Sequence, residues 1–206
     1  MAQFIDIHPE NPQPRALAQA VRILNDGGLI AYPTDSCFAL GCGLGNAEGI
    51  ERIKRIRRLN DKHHFTLIVD EFAKLGQFVE MDNWKFRMVK AATPGPYTFI
   101  LKATREVPKM MQHSKKRTVG VRIPDHRTTL ALLAALGAPL LSSTLLLPDQ
   151  EDPLVDAWQI KELLDHQLDA VIESGECGLE PTTVVDLTGD EPVIERVGAG
   201  DPSRFE

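Results

Sequence analysis

The chain has few cysteines, few aromatic residues and no long apolar run. Its three cysteines, Cys37, Cys42 and Cys177, form no CxxC pair. An odd count without paired spacing excludes a disulfide framework, and Cys37 and Cys42 are expected to be small core residues. No apolar run approaches the ~18 residues of a membrane span, and the first residues lack the basic-then-apolar pattern of a signal peptide. We therefore expect a cytoplasmic protein without a membrane partner.

Several catalytic signatures are also missing. The sequence contains no Walker A motif, no GxGxxG motif and no GxSxG nucleophile elbow. The pair His63–His64 has no accompanying cysteine or acidic residues at metal-ligand spacing, so no protein-bound metal is expected. A phosphate ligand would therefore have to be held by side chains and strand ends.

Charge is distributed unevenly along the 206 residues. Residues 52–127 hold 18 of the 23 lysines and arginines but only 7 acids, whereas residues 149–206 hold 16 acids and 3 bases. This asymmetry predicts a basic surface that faces an anion, although runs of charge can also be solvated helix faces. No linker or internal repeat divides the chain, so we expect a single domain over residues 1–206.

Hydrophobic patterns alternate between strands and helices over the first two-thirds of the chain. The predicted strands are 29–32, 65–69, 97–101, 118–123, 139–144, 170–172, 183–187 and 193–197. The predicted helices cover about 14–26, 46–59, 84–92, 128–136 and 155–164. This order predicts an α/β protein with an open, twisted, mixed sheet and helices on both faces.

The segment Leu29–Gly43 is the part of the sequence that says most about a possible ligand site. Its first four apolar residues predict a buried strand, which must end at Pro33 because proline has no N–H for the ladder. Thr34, Asp35 and Ser36 then follow the strand, where open α/β sheets place their ligand crevices. The alternative is an ordinary turn with capping residues.

A basic helix follows, with arginines at 52, 55, 57 and 58. Arg55 and Arg58 are three residues apart and share a face, and Lys62 comes after the helix. The planar donor fork of arginine suits phosphate oxygens, so this helix is a candidate phosphate site.

Hydroxyl side chains interrupt a later apolar strand at Ser142, Ser143 and Thr144. Buried hydroxyls need partners, so these three either bond locally or line a ligand cleft. The segment Glu180–Thr188 has the same character, with hydroxyls that introduce an apolar strand.

Five stretches, in this order, resemble the YrdC/YciO family: PTDSCFALGCG, PGPYTFIL, VGVRIPDH, SSTLLLP and PTTVVDL. The resemblance extends over essentially the whole chain. It implies a YrdC-like sheet with a concave, basic face that binds nucleotide or RNA. Catalytic members make threonylcarbamoyl-AMP and pyrophosphate from ATP, L-threonine and bicarbonate with Mg²⁺, for tRNA modification.

The resemblance also implies roles for individual residues. A threonine pocket would comprise Tyr32, Thr34, Asp35, Thr182 and Thr183. Nucleotide and phosphate would be bound by Arg55, Arg57, Arg58, Lys62, Thr118, Arg122, Ser142, Thr144 and Arg196. ATP would bring Mg²⁺ as its complex, without a structural metal in the protein.

Three positions depart from the synthase pattern and resemble the YciO branch. Leu146 stands where the family's STSAN motif has its Asn, Leu59 where a proline is usual, and Phe38 where a tyrosine is usual. The sequence therefore leaves alternatives: a synthase-like enzyme with weak activity, a double-stranded RNA or tRNA-binding protein without turnover, or a nucleotide-binding protein with another transfer reaction. We expect a monomer or a weak dimer.

Overall fold

The computed structural model describes residues 1–60, 63 and 65–206. In this part of the chain ten strands form one sheet, together with α-helices and two short 3₁₀ turns. The strands are β1 (Gln3–Asp6), β2 (Ile30–Tyr32), β3 (Ala39–Gly43), β4 (Thr66–Ile68), β5 (Tyr97–Lys102), β6 (Thr118–Arg122), β7 (Leu140–Thr144), β8 (Ala170–Glu173), β9 (Thr183–Asp186) and β10 (Val193–Arg196). The helices are α1 (Pro14–Asn25), α2 (Ala47–Arg57), α3 (Phe72–Phe78), α4 (Asn83–Ala92), α5 (Arg127–Leu136) and α6 (Ala157–Leu164).

The sheet is open and mixed. Its strand order is β1-β8-β2-β3-β7-β4-β6-β5-β9-β10. Four neighbouring pairs, such as β1 with β8 and β5 with β9, are parallel, and the other pairs are antiparallel. The predicted open mixed α/β architecture is therefore confirmed.

Helices cover both faces of the sheet. On one face, α1 and α5 pack through Leu17, Ala20, Leu24, Leu132 and Leu133 in one apolar cluster. On the other face, α2, α3, α4 and α6 contribute to a larger cluster, against which Phe4 of β1 and Ile194 of β10 also pack. The sheet is thus buried wherever a neighbouring helix presents an apolar stripe to it.

The structure adds three elements that the sequence did not predict: β1, β3 and α3. The sequence did not predict β3 because its glycines interrupt the alternating apolar pattern that indicates a strand. A Cβ built on Gly41 would lie 2.7 Å from Cε1 of Tyr32, so glycine is needed there for the ring to pack on the neighbouring strand.

The face that carries α1 and α5 is only half covered. Among the described residues, β5, β6, β9 and β10 contribute no buried apolar side chain to the cluster under these two helices. Side chains alternate along a strand, so Ser142, two residues beyond the covered Leu140, lies on this same face. The uncovered half of the face is where the candidate site lies.

Candidate functional site

A cavity of about 370 Å³ opens on the uncovered half of the sheet face. Its wall is made by strands β3, β4, β5, β6, β7, β9 and β10, by the segment before β3 and by the end of α2. Its polar and charged lining comprises Ser36, Arg57, His63, Thr66, Thr98, Lys116, Arg122, Ser142, Ser143, Thr144, Thr182, Asp186, Glu195 and Arg196.

Arg122, the last residue of β6, is the most buried cation of the cavity, with 6% exposure. Its Nη2 donates to Oδ1 of Asp35 and lies 3.5 Å from Oγ1 of Thr34. Nε of Arg122 and Oδ2 of Asp35 are buried, and neither has a hydrogen-bond partner in the described part of the chain. The guanidinium is therefore charge-compensated by one carboxylate while keeping hydrogen-bonding capacity in reserve.

Arg57 reaches the cavity from the last position of α2. Asn46 caps the start of that helix by accepting from the Gly49 amide at 2.9 Å, and Arg58 ends it in the left-handed conformation with φ 50°. Nη1 of Arg57 donates to Oγ of Ser143 at 2.5 Å. Burial, assisted by the nearby Arg196 guanidinium, lowers the pKa of Arg57 to about 10, so it is still charged at neutral pH.

Arg196, at the end of β10, supplies the third cation. Its Nε and Nη2 donate to the carbonyl oxygen of Thr182 at 3.1 and 2.8 Å. Thr182 in turn shares a hydrogen bond of 2.8 Å with the hydroxyl of Thr98. Burial lowers the pKa of Arg196, and the Arg122 guanidinium acts in the same direction.

Hydroxyl groups form the floor between these cations. Oγ of Ser142 is 2.7 Å from the hydroxyl of Tyr32, and the Ser143 hydroxyl lies 3.2 Å from Nε2 of His63. Gly120 lies in the middle of the floor, where an added Cβ would be 2.9 Å from Oγ1 of Thr66. The floor is therefore polar at its hydroxyls, and the Thr66 side chain lies against Gly120.

The segment after β2 is held by local bonds. Oγ1 of Thr34 donates to the carbonyl of Cys37 at 2.7 Å and accepts from the Ser36 amide at 3.2 Å. Thr34 and Asp35 thus reach the cavity through Arg122 and are not among its lining residues. Next to them, the half-buried His126 caps α5 by accepting from the Thr129 amide at 3.3 Å, and burial lowers its pKa.

The structure brings part of the predicted set together. Arg57, Arg122, Ser142, Thr144, Thr182 and Arg196 line the cavity. Tyr32 is buried beneath it and contacts it through Ser142. The hydroxyl of Thr183 points away, since it donates to the Gly200 carbonyl at 2.5 Å.

Other predicted residues lie elsewhere. Arg55 is exposed at a separate surface cleft with Arg52 and Asp169. Arg58 pairs with Asp149 at 3.1 Å, with both side chains largely exposed. Thr118 is buried and its carbonyl accepts from the His113 amide at 2.8 Å, outside the cavity lining. Lys62 lies outside the described residues.

The sequence did not single out five polar or charged cavity residues: Thr66, Thr98, Lys116, Asp186 and Glu195. Strand register is the signal that would have found two of them. Thr66 is paired with Ser142 on one side and with Gly120 on the other, and Ile100 continues the same row to Asp186. Such pairing is not readable from one sequence because neighbouring strands here are far apart in the chain.

The arrangement suits a phosphate-bearing ligand. Arginine side chains donate in fixed pairs to phosphate oxygens, and a half-enclosed site strengthens that attraction compared with water. In the described part of the chain, no three His, Cys, Asp or Glu side chains are grouped closely enough to hold a metal ion. None of its helices is both long and apolar enough to cross a membrane.

Comparison with known proteins finds relatives that match most or all of this chain. The family model Sua5/YciO/YrdC, described as telomere recombination, matches residues 22–198. The YciO protein of Escherichia coli K12 is 48% identical over 205 residues, which cover 100% of both chains. A threonylcarbamoyl-AMP synthase of Vibrio vulnificus is 31% identical over 165 residues, covering 79% of this chain and 87% of that protein.

Solved structures agree. The crystal structure of E. coli YciO superposes with a TM-score of 0.97 over 100% of both chains at 48% identity. The structure of P. abyssi Sua5 complexed with L-threonine superposes with a TM-score of 0.85 at 24% identity, covering 95% of this chain and 57% of that one. That second likeness concerns the fold. The chain therefore belongs to the Sua5/YciO/YrdC family.

Proposed function

We propose that the cavity binds ATP and L-threonine and forms threonylcarbamoyl-AMP and pyrophosphate, with bicarbonate as the third substrate. One observation carries this proposal: Arg57, Arg122 and Arg196 come from three separate elements and line one cavity with a hydroxyl floor. The relatives support it, since one is a threonylcarbamoyl-AMP synthase and another is a Sua5 complexed with L-threonine.

The chemistry needs no nucleophile from the protein. Threonine carbamate, formed from the threonine amine and bicarbonate with loss of water, attacks the α-phosphorus of ATP through an oxygen of its carbamate group. The new oxygen–phosphorus bond forms while the bond to the pyrophosphate oxygen breaks, and pyrophosphate leaves with the electron pair. The arginines therefore need only hold the reactants in line and stabilise the charge that develops on the leaving group.

Mg²⁺ would enter as the ATP complex and supply charge neutralisation on the phosphates. This ion keeps several waters and is usually bound through one or two carboxylates plus substrate phosphates. In this proposal the ion is held by the phosphates of ATP and by its waters, so the cavity carboxylates are not needed to hold it.

The direct test is release of pyrophosphate from ATP with Mg²⁺, with threonine and bicarbonate each added and omitted. We expect release that depends on both, and a loss of about tenfold or more in Arg57→Ala and Arg196→Ala, since charge-assisted hydrogen bonds contribute about 1.5–3 kcal/mol. Arg55→Ala and Arg58→Ala on the same helix are matched controls that should keep wild-type rates. Release that needs no threonine, or equal loss in all four variants, would contradict the proposal.

A second candidate function is binding of double-stranded RNA or tRNA. Residues 102–117 contain six lysines and arginines and one acid, Glu106, and Lys116 in this segment lines the cavity. A basic surface next to a nucleotide cavity would suit an RNA backbone whose modified base enters the cavity. Binding of this kind is governed by release of counterions and weakens steeply with salt.

Binding of a tRNA at several salt concentrations tests this candidate. We expect Lys109→Ala, Lys115→Ala and Lys116→Ala together to reduce the slope of log affinity against log salt by about 3. The matched control replaces Lys74, Lys85 and Lys90, which lie on α3 and α4. An equal change in both triple variants, or binding that does not respond to salt, rules out this surface.

A further inference from the structure

The cavity has carboxylates as well as arginines, and the two kinds of charge do not neutralise one another. Among the described residues, no ion pair joins Asp186 or Glu195 to Arg57, Arg122, Arg196 or Lys116. Asp186 accepts from the Thr188 amide at 2.8 Å through Oδ1, which fixes its carboxylate and leaves Oδ2 for another donor. Acceptor oxygens that remain unpaired in a cavity fit a ligand that brings hydrogen-bond donors.

The sheet register shows how these groups are arranged. Ser142, Thr66, Gly120, Ile100 and Asp186 form one row across five neighbouring strands. Because neighbouring strands are about 4.8 Å apart, the row extends roughly 19 Å from the hydroxyl end to the carboxylate end. A ligand that lies along it is therefore long and has different chemistry at its two ends.

Two of the three cavity arginines, Arg57 and Arg122, lie toward the hydroxyl end of the row, whereas Arg196 enters from β10. The Ser143 hydroxyl, next to Ser142, receives Nη1 of Arg57 at 2.5 Å and lies 3.2 Å from His63. Arg122 lies two residues beyond Gly120 on β6 and keeps its buried Nε without a partner. The side chain of Arg122 lines the cavity, and its Nε donor has no partner among the described residues. This is a second observation, independent of the carboxylates, that favours a bound ligand.

The middle of the row is lined by small and apolar groups. Gly120 has no side chain, and the side chains of Thr66 and Thr98 lie against it, since an added Cβ would be 2.9 Å from Oγ1 of Thr66 and 3.1 Å from Cγ2 of Thr98. The next position, Ile100, is apolar and almost fully buried. The row therefore carries no charge between its hydroxyl end and its carboxylate end.

From this arrangement we infer that Asp186 and Glu195 accept hydrogen bonds from the ribose hydroxyls of the bound nucleotide, and so select ribonucleotides over deoxyribonucleotides. The inference rests on the proposed function and adds the direction in which the nucleotide lies. Its phosphates face Arg57 and Arg122, and its ribose faces β9 and β10. A diol is the donor that carboxylates recognise in nucleotide sites, because it presents two adjacent hydroxyls to one acceptor group.

The experiment measures binding of ATP, 2′-deoxy-ATP, 3′-deoxy-ATP and inorganic tripolyphosphate to the full chain by calorimetry with Mg²⁺. For the wild type we expect ATP to bind about tenfold or more tighter than at least one deoxynucleotide, as one charge-assisted hydrogen bond implies. In Asp186→Asn and Glu195→Gln this preference should shrink several-fold, while tripolyphosphate should bind as well as before or more tightly. Glu191→Gln, in the connection between the same two strands, is the matched control and should behave as the wild type.

The outcomes separate the two levels of the proposal. If the carboxylate variants bind ATP, both deoxynucleotides and tripolyphosphate more tightly by the same factor, the carboxylates only repel phosphate and the ribose assignment is wrong. If the wild type does not discriminate ribose from deoxyribose, the assignment is also wrong, although the nucleotide site stands. If the wild type binds neither ATP nor tripolyphosphate, the proposed nucleotide site and the ribose assignment both fail.

Discussion

Arg122 and Asp35 are 87 positions apart in the chain and form an ion pair in which both side chains are largely buried. The pair joins the end of β6 to the segment after β2, and it is the only charged contact between these two elements among the described residues. It therefore places the PTD segment against the cavity. Asp35 therefore acts on the cavity indirectly, through its ion pair with Arg122, because it is Arg122 that lines the cavity.

Asp35→Asn tests how much the fold depends on this pair. Removal of one partner leaves the buried Arg122 charge uncompensated, and we expect the free energy of unfolding to fall by about 3–5 kcal/mol. The matched control is Asp149→Asn, which breaks the exposed pair with Arg58 and should cost less than about 1 kcal/mol. Urea unfolding of both variants measures the difference, and similar small losses would show that the Arg122 pair is well solvated.

The two tyrosines of the chain offer a second comparison. Tyr32→Phe removes the hydroxyl that holds Ser142 at 2.7 Å, and the buried Ser142 then loses its partner. We expect a loss of about 0.5–1.5 kcal/mol in stability and a several-fold weaker binding of ATP, because Ser142 forms part of the floor. Tyr97→Phe removes only a contact of 3.4 Å to the Asp201 carbonyl, away from the cavity. Equal effects of the two variants on ATP binding would contradict a positioning role for Tyr32.

The lowered pKa of His126 predicts how the free energy of unfolding depends on pH. Burial lowers its pKa from the ordinary 6.5, against Asp35 and Asp125, which raise it, and with Arg122, which lowers it further. Between pH 6.5 and the lower folded value, the unfolded chain binds more protons, so stability must fall as pH falls through this window. The depressed pKa values of Asp165 and Asp201 act below their ordinary 3.8 and do not interfere there.

His126→Asn tests this effect because asparagine can still cap α5. We expect the urea midpoint of the variant to change less between pH 7 and pH 5 than that of the wild type. His166→Asn is the control, since the His166 side chain is 84% exposed. If both variants keep the wild-type pH dependence, other groups are responsible for it.

Replacement of Leu146 by asparagine is predicted to strengthen the binding of ATP. The carbonyl of Leu146 accepts from Nε of Arg57 at 3.3 Å, so residue 146 lies at the edge of the cavity that Arg57 lines. Leu146→Asn restores the amide of the family's STSAN motif, and we expect ATP affinity to rise by about tenfold, as one added hydrogen bond implies. Leu146→Ala separates loss of the leucine from gain of the amide. Equal affinity of the two variants would show that the amide does not reach the nucleotide.

Secondary structure was largely readable from the sequence because it depends on local periodicity and on turn residues. Asn46 and Gly137 mark helix ends at α2 and α5 as expected from capping rules. The missed strand β3 shows the limit of this approach. Its glycines are needed for contact with Tyr32 on a neighbouring strand, and local patterns do not contain that contact.

By itself, the amino-acid sequence determined the class of fold, the family and most of the stretches in which the cavity residues lie. Only the tertiary structure decided which side chains in those stretches meet. Arg57 reaches the cavity while Arg55 and Arg58 do not, because the helix ends at Arg57 and its neighbours project from other sides of the helix. Thr182 lines the cavity and Thr183 does not, because successive side chains along a strand point to opposite faces. Asp186 joins the same row as Ser142 only through the pairing of five strands, and that pairing depends on packing across the whole sheet.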